Sequence, residues 1–141
     1  MGKSYLNKIK IKSLKVVNLP EGNIIKVLKK NDLKNWNFGE AYFSKIKFGK
    51  IKAWKYHLKM TLNLVVAHGK VKFVFYSDKK KRFKIIKIGE RQHYRLIVPP
   101  KIWFGFKGLS KSESTILNLT NSKYDSKEIL RCKINSIKFN W

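Results

Sequence analysis

The chain of 141 residues is poor in cysteine (one), proline (three) and acid (eight). A lone thiol, Cys132, excludes an internal disulfide and any cysteine-based metal cluster. It is expected to carry no chemistry. No apolar run reaches the ~18 residues of a membrane span, and the opening MGKSYLNKIK has no apolar signal core. These absences predict a soluble, cytoplasmic protein that makes no membrane contact. What is present is enough to fold: 43% of residues are hydrophobic and 13% aromatic, which separates the chain from disordered sequences. The length suits one domain, residues 1–141, with a real core.

The scarcity of acid leaves a formal charge of +25. Such a balance raises nucleic acid or an anionic surface as partners. Only Arg82, Arg91, Arg95 and Arg131 are arginine among 33 basic residues, whereas base-edge and bidentate phosphate contacts favour arginine. The lysines are spread along the chain and alternate with apolar residues, as solvated faces do. The bias toward Lys, Ile, Asn, Phe and Tyr reads as codon drift rather than as a nucleic-acid footprint. The one dense basic run, Lys79-Lys80-Lys81-Arg82, is expected to be a solvated loop.

Short segments of strand pattern recur at intervals of roughly 8–12 residues. Ile9–Leu19 alternates imperfectly and ends at the turn Pro20-Glu21-Gly22-Asn23. Asn23–Lys30 reads as strand or short helix, Asn31–Gly39 as a loop around Trp36 and Phe38, and Ala41–Phe48 as strand. The stretch from Gly49 to Tyr76 organises the rest. A basic-aromatic run leads to Tyr56-His57. Leu62–Val66 and Val71–Tyr76 then predict two strands joined by a hairpin turn at His68-Gly69-Lys70. The polar groups ahead of it, Lys52, Lys55, His57 and Thr61, are expected to cluster. Further strands are predicted at Phe83–Ile88, Tyr94–Val98 (stopped by Pro99-Pro100), Trp103–Leu109 and Ser114–Leu119. A helical turn is predicted within Ser126–Lys133, and Trp141 is expected to pack on a sheet. The sum is an all-β sandwich or barrel.

Particular words then carry a resemblance. Gly49-Lys50-Ile51-Lys52-Ala53-Trp54, His57, Lys59-Met60-Thr61, Asn63–Val66, Gly69-Lys70-Val71, Leu96–Phe106 and Asn118–Glu128 resemble the dTDP-4-dehydrorhamnose 3,5-epimerase family and its shorter relatives, from about Gly39 to Glu128. That resemblance implies a cupin fold, the double-stranded β-helix or jelly roll, and a homodimer. The implied reaction is cofactor-free. A base removes a proton α to the ketone of a nucleotide-linked 4-keto-6-deoxy sugar, a donor stabilises the enolate, and an acid on the far face returns a proton. A positive pocket holds the diphosphate.

The departures from the family pattern fall on its functional positions. Where the family has arginine and a histidine base, this chain has Lys52 and Lys55. The shorter relatives read Trp-His-x-His, and here Trp54-Lys55-Tyr56-His57 keeps only the second histidine. Asn63 stands where the family has lysine, and Leu117 where it has tyrosine. No carboxylate partner for the base is evident. The resemblance leaves three readings. His57 is the base, with Tyr124 as acid and Lys52, Lys55 and Asn63 holding substrate. Alternatively Lys55 is the base, or the pocket binds a sugar nucleotide without catalysis. Thr61 joins the substrate-binding set, and Trp103 is a candidate to stack on a base or sugar ring. The metal-binding cupin pattern retains one ligand of four at His57, which does not hold a metal. His68 and His93 are expected to be turn and surface residues.

Overall fold

The computed structural model describes residues 5–32 and 37–141; Trp36 lies outside them. Strand β1 (Lys10–Ser13) precedes a small hairpin of β2 (Lys15–Val17) and β3 (Ile24–Lys26). The hairpin turns at Gly22, where Asn23 Oδ1 accepts from the Leu19 amide at 3.1 Å. The ambiguous stretch after Asn23 is thus strand, as its β-branched residues favour. Then follow β4 (Glu40–Ile46), β5 (Ile51–His57), β6 (Leu62–His68), β7 (Lys70–Ser77) and β8 (Arg82–Gly89). The chain ends through β9 (Tyr94–Val98), β10 (Trp103–Gly108), β11 (Ser114–Thr120) and β12 (Ile129–Arg131). The helical turn expected within Ser126–Lys133 is a 3-10 turn, Ser126–Glu128, immediately before β12. No helix among the described residues is long and apolar enough to cross a membrane.

Ten of the strands form two five-stranded antiparallel sheets, ordered β1-β9-β6-β11-β4 and β12-β5-β10-β7-β8. They face each other as the jelly roll that the resemblance implied, a form of the sandwich that the strand spacing predicted. Alternation puts Leu62, Leu64, Val66, Leu96, Val98 and Ile116 of the first sheet against Val71, Phe73, Phe75, Ile86 and Ile88 of the second. Each such side chain, fully buried, contributes about 1.5–3 kcal/mol. Val74 is buried as well, although it lies on the outer face of β7, because the C-terminal tail shields that side of the sheet. There Trp141 sits 5.2 Å from Trp54 and 5.0 Å from Phe139, whose ring is 5.0 Å from Phe83.

One expectation is corrected. Strands β6 and β7 are not a hairpin. β6 pairs with β11 and β9, and β7 with β10 and β8, so the chain passes from one sheet to the other at Gly69. A single linking residue is too short for the two-residue turn that pairs neighbouring strands. Gly69 takes φ +82°, and any Cβ there would collide with the Ser114 side chain. The Lys70 amide donates to Ser114 Oγ at 3.2 Å and the Gly69 amide to Glu90 Oε2 at 3.0 Å, so the corner is held from both sides. The hairpin that β7 does form is with β8, with the basic run at its exposed tip.

Candidate active site

A cavity of about 310 Å³ opens between the edge strands of the two sheets. Its floor is apolar, made by Leu64, Phe73, Phe104, Phe106 and Ile116. Its walls are polar. β4 supplies Glu40, Tyr42 and Ser44, β5 supplies Lys55 and His57, β11 supplies Asn118, and β12 supplies Arg131. Tyr124 stands at the mouth, 62% exposed.

Lys55 and His57 share the inner face because they are two residues apart on one strand. Ahead of them the pairing with β10 slips by one residue. Phe104 lies opposite Lys55 and Phe106 opposite Lys52, leaving Trp54 as the extra residue of a bulge. Trp54 faces outward, its indole N–H donating to the Ile134 carbonyl at 3.2 Å. Gly105 beneath the bulge lets the strands meet, since a Cβ there would lie 2.5 Å from the Ala53 Cβ.

His57 is 6% exposed and stacked on Phe104 at 6.0 Å. Its Nδ1 is 2.9 Å from Glu128 Oε2. Glu128 Oε1 accepts from the amides of Lys59 at 3.0 Å and Met60 at 2.7 Å. The carboxylate is therefore fixed by the backbone just after β5 and leaves Nε2 as the imidazole nitrogen free to face the cavity. Burial opposes ionisation of Glu128, but the bonds from His57, Lys59 and Met60 and the charge of His57 outweigh it. The carboxyl consequently lies below its ordinary value. Glu128 is the carboxylate partner that sequence alone left unidentified. It arrives through the register of β12, which sets Ile129 opposite His57. The local signal was slight: Asp125 and Glu128 at the spacing of a capped turn, with Asp125 Oδ1 accepting from the Lys127 amide at 2.9 Å.

Beside the dyad, on the same sheet, the cavity is basic. Lys55 pairs in register with Arg131 of β12. Burial, then the charges of Arg131 and Lys52, push the Lys55 ammonium below its ordinary pKa. Arg131 was not singled out from the sequence, since nothing local distinguishes it from the other arginines.

The remaining sequence candidates are placed differently. Lys52 shares the inner register but is exposed, its Nζ donating to the Lys45 carbonyl at 2.6 Å. Thr61 does not line the cavity, and its amide donates to Asn121 Oδ1 at 2.9 Å. Asn63 falls between Leu62 and Leu64 on the opposite face of β6, where it is 2% exposed and accepts a bond from Arg95. Trp103 lies outside the cavity, on the outer face of β10, 5.1 Å from Tyr56. Its neighbour Phe104, rather than Trp103, points inward. The cavity brings together His57, Lys55 and Tyr124 and adds Arg131, Tyr42 and Asn118, while Glu128 backs His57 from behind the cavity wall. His68 is exposed, paired with Glu90 at 2.8 Å. No group of three or more His, Cys, Asp or Glu suited to a metal occurs among the described residues.

No family model matches the chain, and no curated protein matches its sequence. Solved structures do. A dTDP sugar isomerase from Desulfovibrio desulfuricans G20 superposes with a TM-score of 0.88 at 24% identity, covering 100% of this chain and 95% of that one. The dTDP-4-dehydrorhamnose 3,5-epimerase of Bacillus anthracis, solved with TDP and pyrophosphate bound, gives 0.83 at 16% identity over 99% of this chain and 87% of its own. The sugar 3,4-ketoisomerase QdtA of Thermoanaerobacterium thermosaccharolyticum, in complex with TDP, gives 0.79 at 18% identity over 94% and 93%. The chain has the cupin fold of these proteins.

Proposed function

We propose that this chain is a cofactor-free nucleotide-sugar isomerase that acts on a nucleoside-diphosphate 4-keto-6-deoxyhexose, as dTDP-4-dehydrorhamnose 3,5-epimerases do. The observation that carries the proposal is the His57–Glu128 dyad, whose buried imidazole lines the cavity with Lys55 and Arg131 beside it on the same sheet. Deprotonation α to a ketone needs a base that is neutral and correctly oriented. Glu128 holds the Nδ1–H of His57 and presents the Nε2 lone pair to substrate. His57 takes the proton, the C–H electron pair becomes the enolate double bond, and the carbonyl electrons move to oxygen. A proton returned to the opposite face inverts the carbon, a step assigned to Tyr124 at the cavity mouth. Lys55 and Arg131 fit the diphosphate, with Lys52 at the rim. The lowered pKa of Lys55 eases as an anion docks, so binding and charge neutralisation go together. The buried, carboxylate-oriented group favours His57 over Lys55 as the base.

The same reading makes residues 1–141 one cupin domain, working as a homodimer in the cytoplasm, in deoxysugar or surface-polysaccharide synthesis. Its test is deuterium exchange into dTDP-4-keto-6-deoxyglucose followed by NMR, with wild type beside His57→Asn and Lys55→Ala. Exchange at C3 or C5 that disappears in His57→Asn supports the isomerase. Ligand-induced shifts without exchange would instead make the chain a sugar-nucleotide binding module. Steep salt dependence of binding to any polyanion, with no preference for sugar nucleotide, would make it an electrostatic binder.

A further inference from the structure

On the wall facing His57, β4 and β11 pair with Tyr42 directly opposite Asn118, both pointing into the cavity. Asn118 Nδ2 donates to Tyr42 Oη at 2.8 Å. The phenol is the acceptor in that bond, so its own proton is directed elsewhere. The other end of the amide, Asn118 Oδ1, has no hydrogen-bond partner although Asn118 is only 4% exposed. A buried acceptor left empty costs about 1–3 kcal/mol, so an unpaired one in a cavity wall marks where a ligand donor belongs. Side by side, then, the wall offers one free donor and one free acceptor.

We propose that Tyr42 and Asn118 read a carbonyl and the hydroxyl on the next carbon, Tyr42 donating to the carbonyl oxygen and Asn118 Oδ1 accepting from the hydroxyl. The ligand class is an α-hydroxyketone. This rests on the proposed isomerase reading and supplies what that reading lacks, a group to stabilise the enolate. As charge grows on the carbonyl oxygen the Tyr42 bond strengthens, whereas the base across the cavity is untouched. Burial, moderated by the bond from Asn118 and reinforced by the charge of Glu40, holds the Tyr42 phenol above its ordinary pKa. It therefore remains a donor at neutral pH. An analogue with no ketone, or with the adjacent hydroxyl removed, leaves one of the two groups unpaired and is discriminated against.

The experiment compares wild type, Tyr42→Phe and Asn118→Leu in calorimetric binding of dTDP and of dTDP-4-keto-6-deoxyglucose, with C3/C5 deuterium exchange on the same samples. The expected result is unchanged dTDP affinity in both variants. The extra affinity conferred by the keto sugar falls by about 5–10-fold, the value of one good hydrogen bond. Exchange in Tyr42→Phe slows by about 100-fold, as on removing one donor to a developing oxyanion. An unchanged keto-sugar increment in Tyr42→Phe overturns the inference even if wild type is an active isomerase. If the increment is lost but wild type exchanges no deuterium, the pair stands and the isomerase reading falls. No preference of wild type for the keto sugar over dTDP overturns both. Should Asn118→Leu fail to fold, Tyr42→Phe alone decides, since it deletes one oxygen from a partly exposed ring.

Discussion

Replacing Glu128 separates its structural role from its chemical one. Its side chain is 11% exposed and serves three donors, His57 and the amides of Lys59 and Met60. Glu128→Ala strands a buried imidazole and two backbone N–H groups, a loss of about 3–5 kcal/mol by analogy with broken buried pairs. At roughly 4 °C per kcal/mol for a chain of this size, Tm falls by about 12–20 °C. Glu128→Gln behaves differently. Its amide oxygen still accepts from Lys59 and Met60, so the cost drops to about 1 kcal/mol, one hydrogen bond's worth. The amide nitrogen, however, now donates to His57 Nδ1 and forces the ring proton onto Nε2, the nitrogen that has to act as base. Deuterium exchange then falls by roughly 10³–10⁴-fold, as when a triad carboxylate is replaced by its amide. Two measurements check this: exchange rates in the NMR assay, and ¹⁵N shifts of His57, which report the tautomer whatever the substrate. Exchange within tenfold of wild type, or a Glu128→Gln protein whose His57 keeps the Nδ1–H form, would refute the dyad.

The pH dependence of stability follows from the same carboxyl. Its folded pKa lies below the unfolded value of about 4.3, so the unfolded chain takes up the proton first as pH falls. The Glu128 contribution is complete above that range and is lost on descending through the folded pKa. The Tm difference between wild type and Glu128→Gln, followed by calorimetry, therefore shrinks below about pH 4. Lys55→Met removes a half-buried ammonium that burial, Arg131 and Lys52 already disfavour. Its Tm without ligand is expected to match or exceed wild type, while the thermal shift produced by dTDP falls by about 5 °C for a tenfold loss of affinity. A dTDP shift equal to wild type would remove Lys55 from the anion site. Gly105→Ala forces a Cβ against Ala53 at 2.5 Å and Trp141 at 3.0 Å, for an overpacking cost of about 1–3 kcal/mol. A variant as stable as wild type in urea titration would show that the strands can part at the bulge without loss.

What the sequence made legible, and what it did not, divides by range. The period-2 pattern misses β5, read only as a basic-aromatic run, but places β4 and β6 through β11 within a few residues of where they form, because alternation is a property of one strand. Pairing is a property of two. Leu62–Val66 and Val71–Tyr76 have the same apolar pattern whether they form a hairpin or lie in facing sheets, and only the steric state of Gly69 and the distant Ser114 decides. The site obeys the same division. Lys55 and His57 were readable because they stand together in the short run Trp54-Lys55-Tyr56-His57 that carries the resemblance. Tyr42 and Asn118 required the β4–β11 register, and Glu128 lies 71 residues from the histidine it orients. Asn63 and Trp103 failed as cavity residues for the converse reason: a position one residue away from an inward side chain faces outward.

The delivery of Glu128 also ties the site to the docking of one short strand. β12 is only three residues long and pairs solely with β5 within its sheet. It is clamped at both ends, by reciprocal 3.3 Å bonds between the backbones of Trp54 and Cys132 and by the Leu58 amide to the Glu128 carbonyl at 2.9 Å. Without β12 docked, His57 lacks its partner and the cavity lacks both Arg131 and the wall that Ile129 completes. Since β12 pairs only with β5, the carboxylate on His57, the Arg131 charge and the closure of the cavity all depend on that one pairing. Any perturbation that frees β12, including substitutions in its clamps far from ligand, should silence the base and weaken anion binding in the same step.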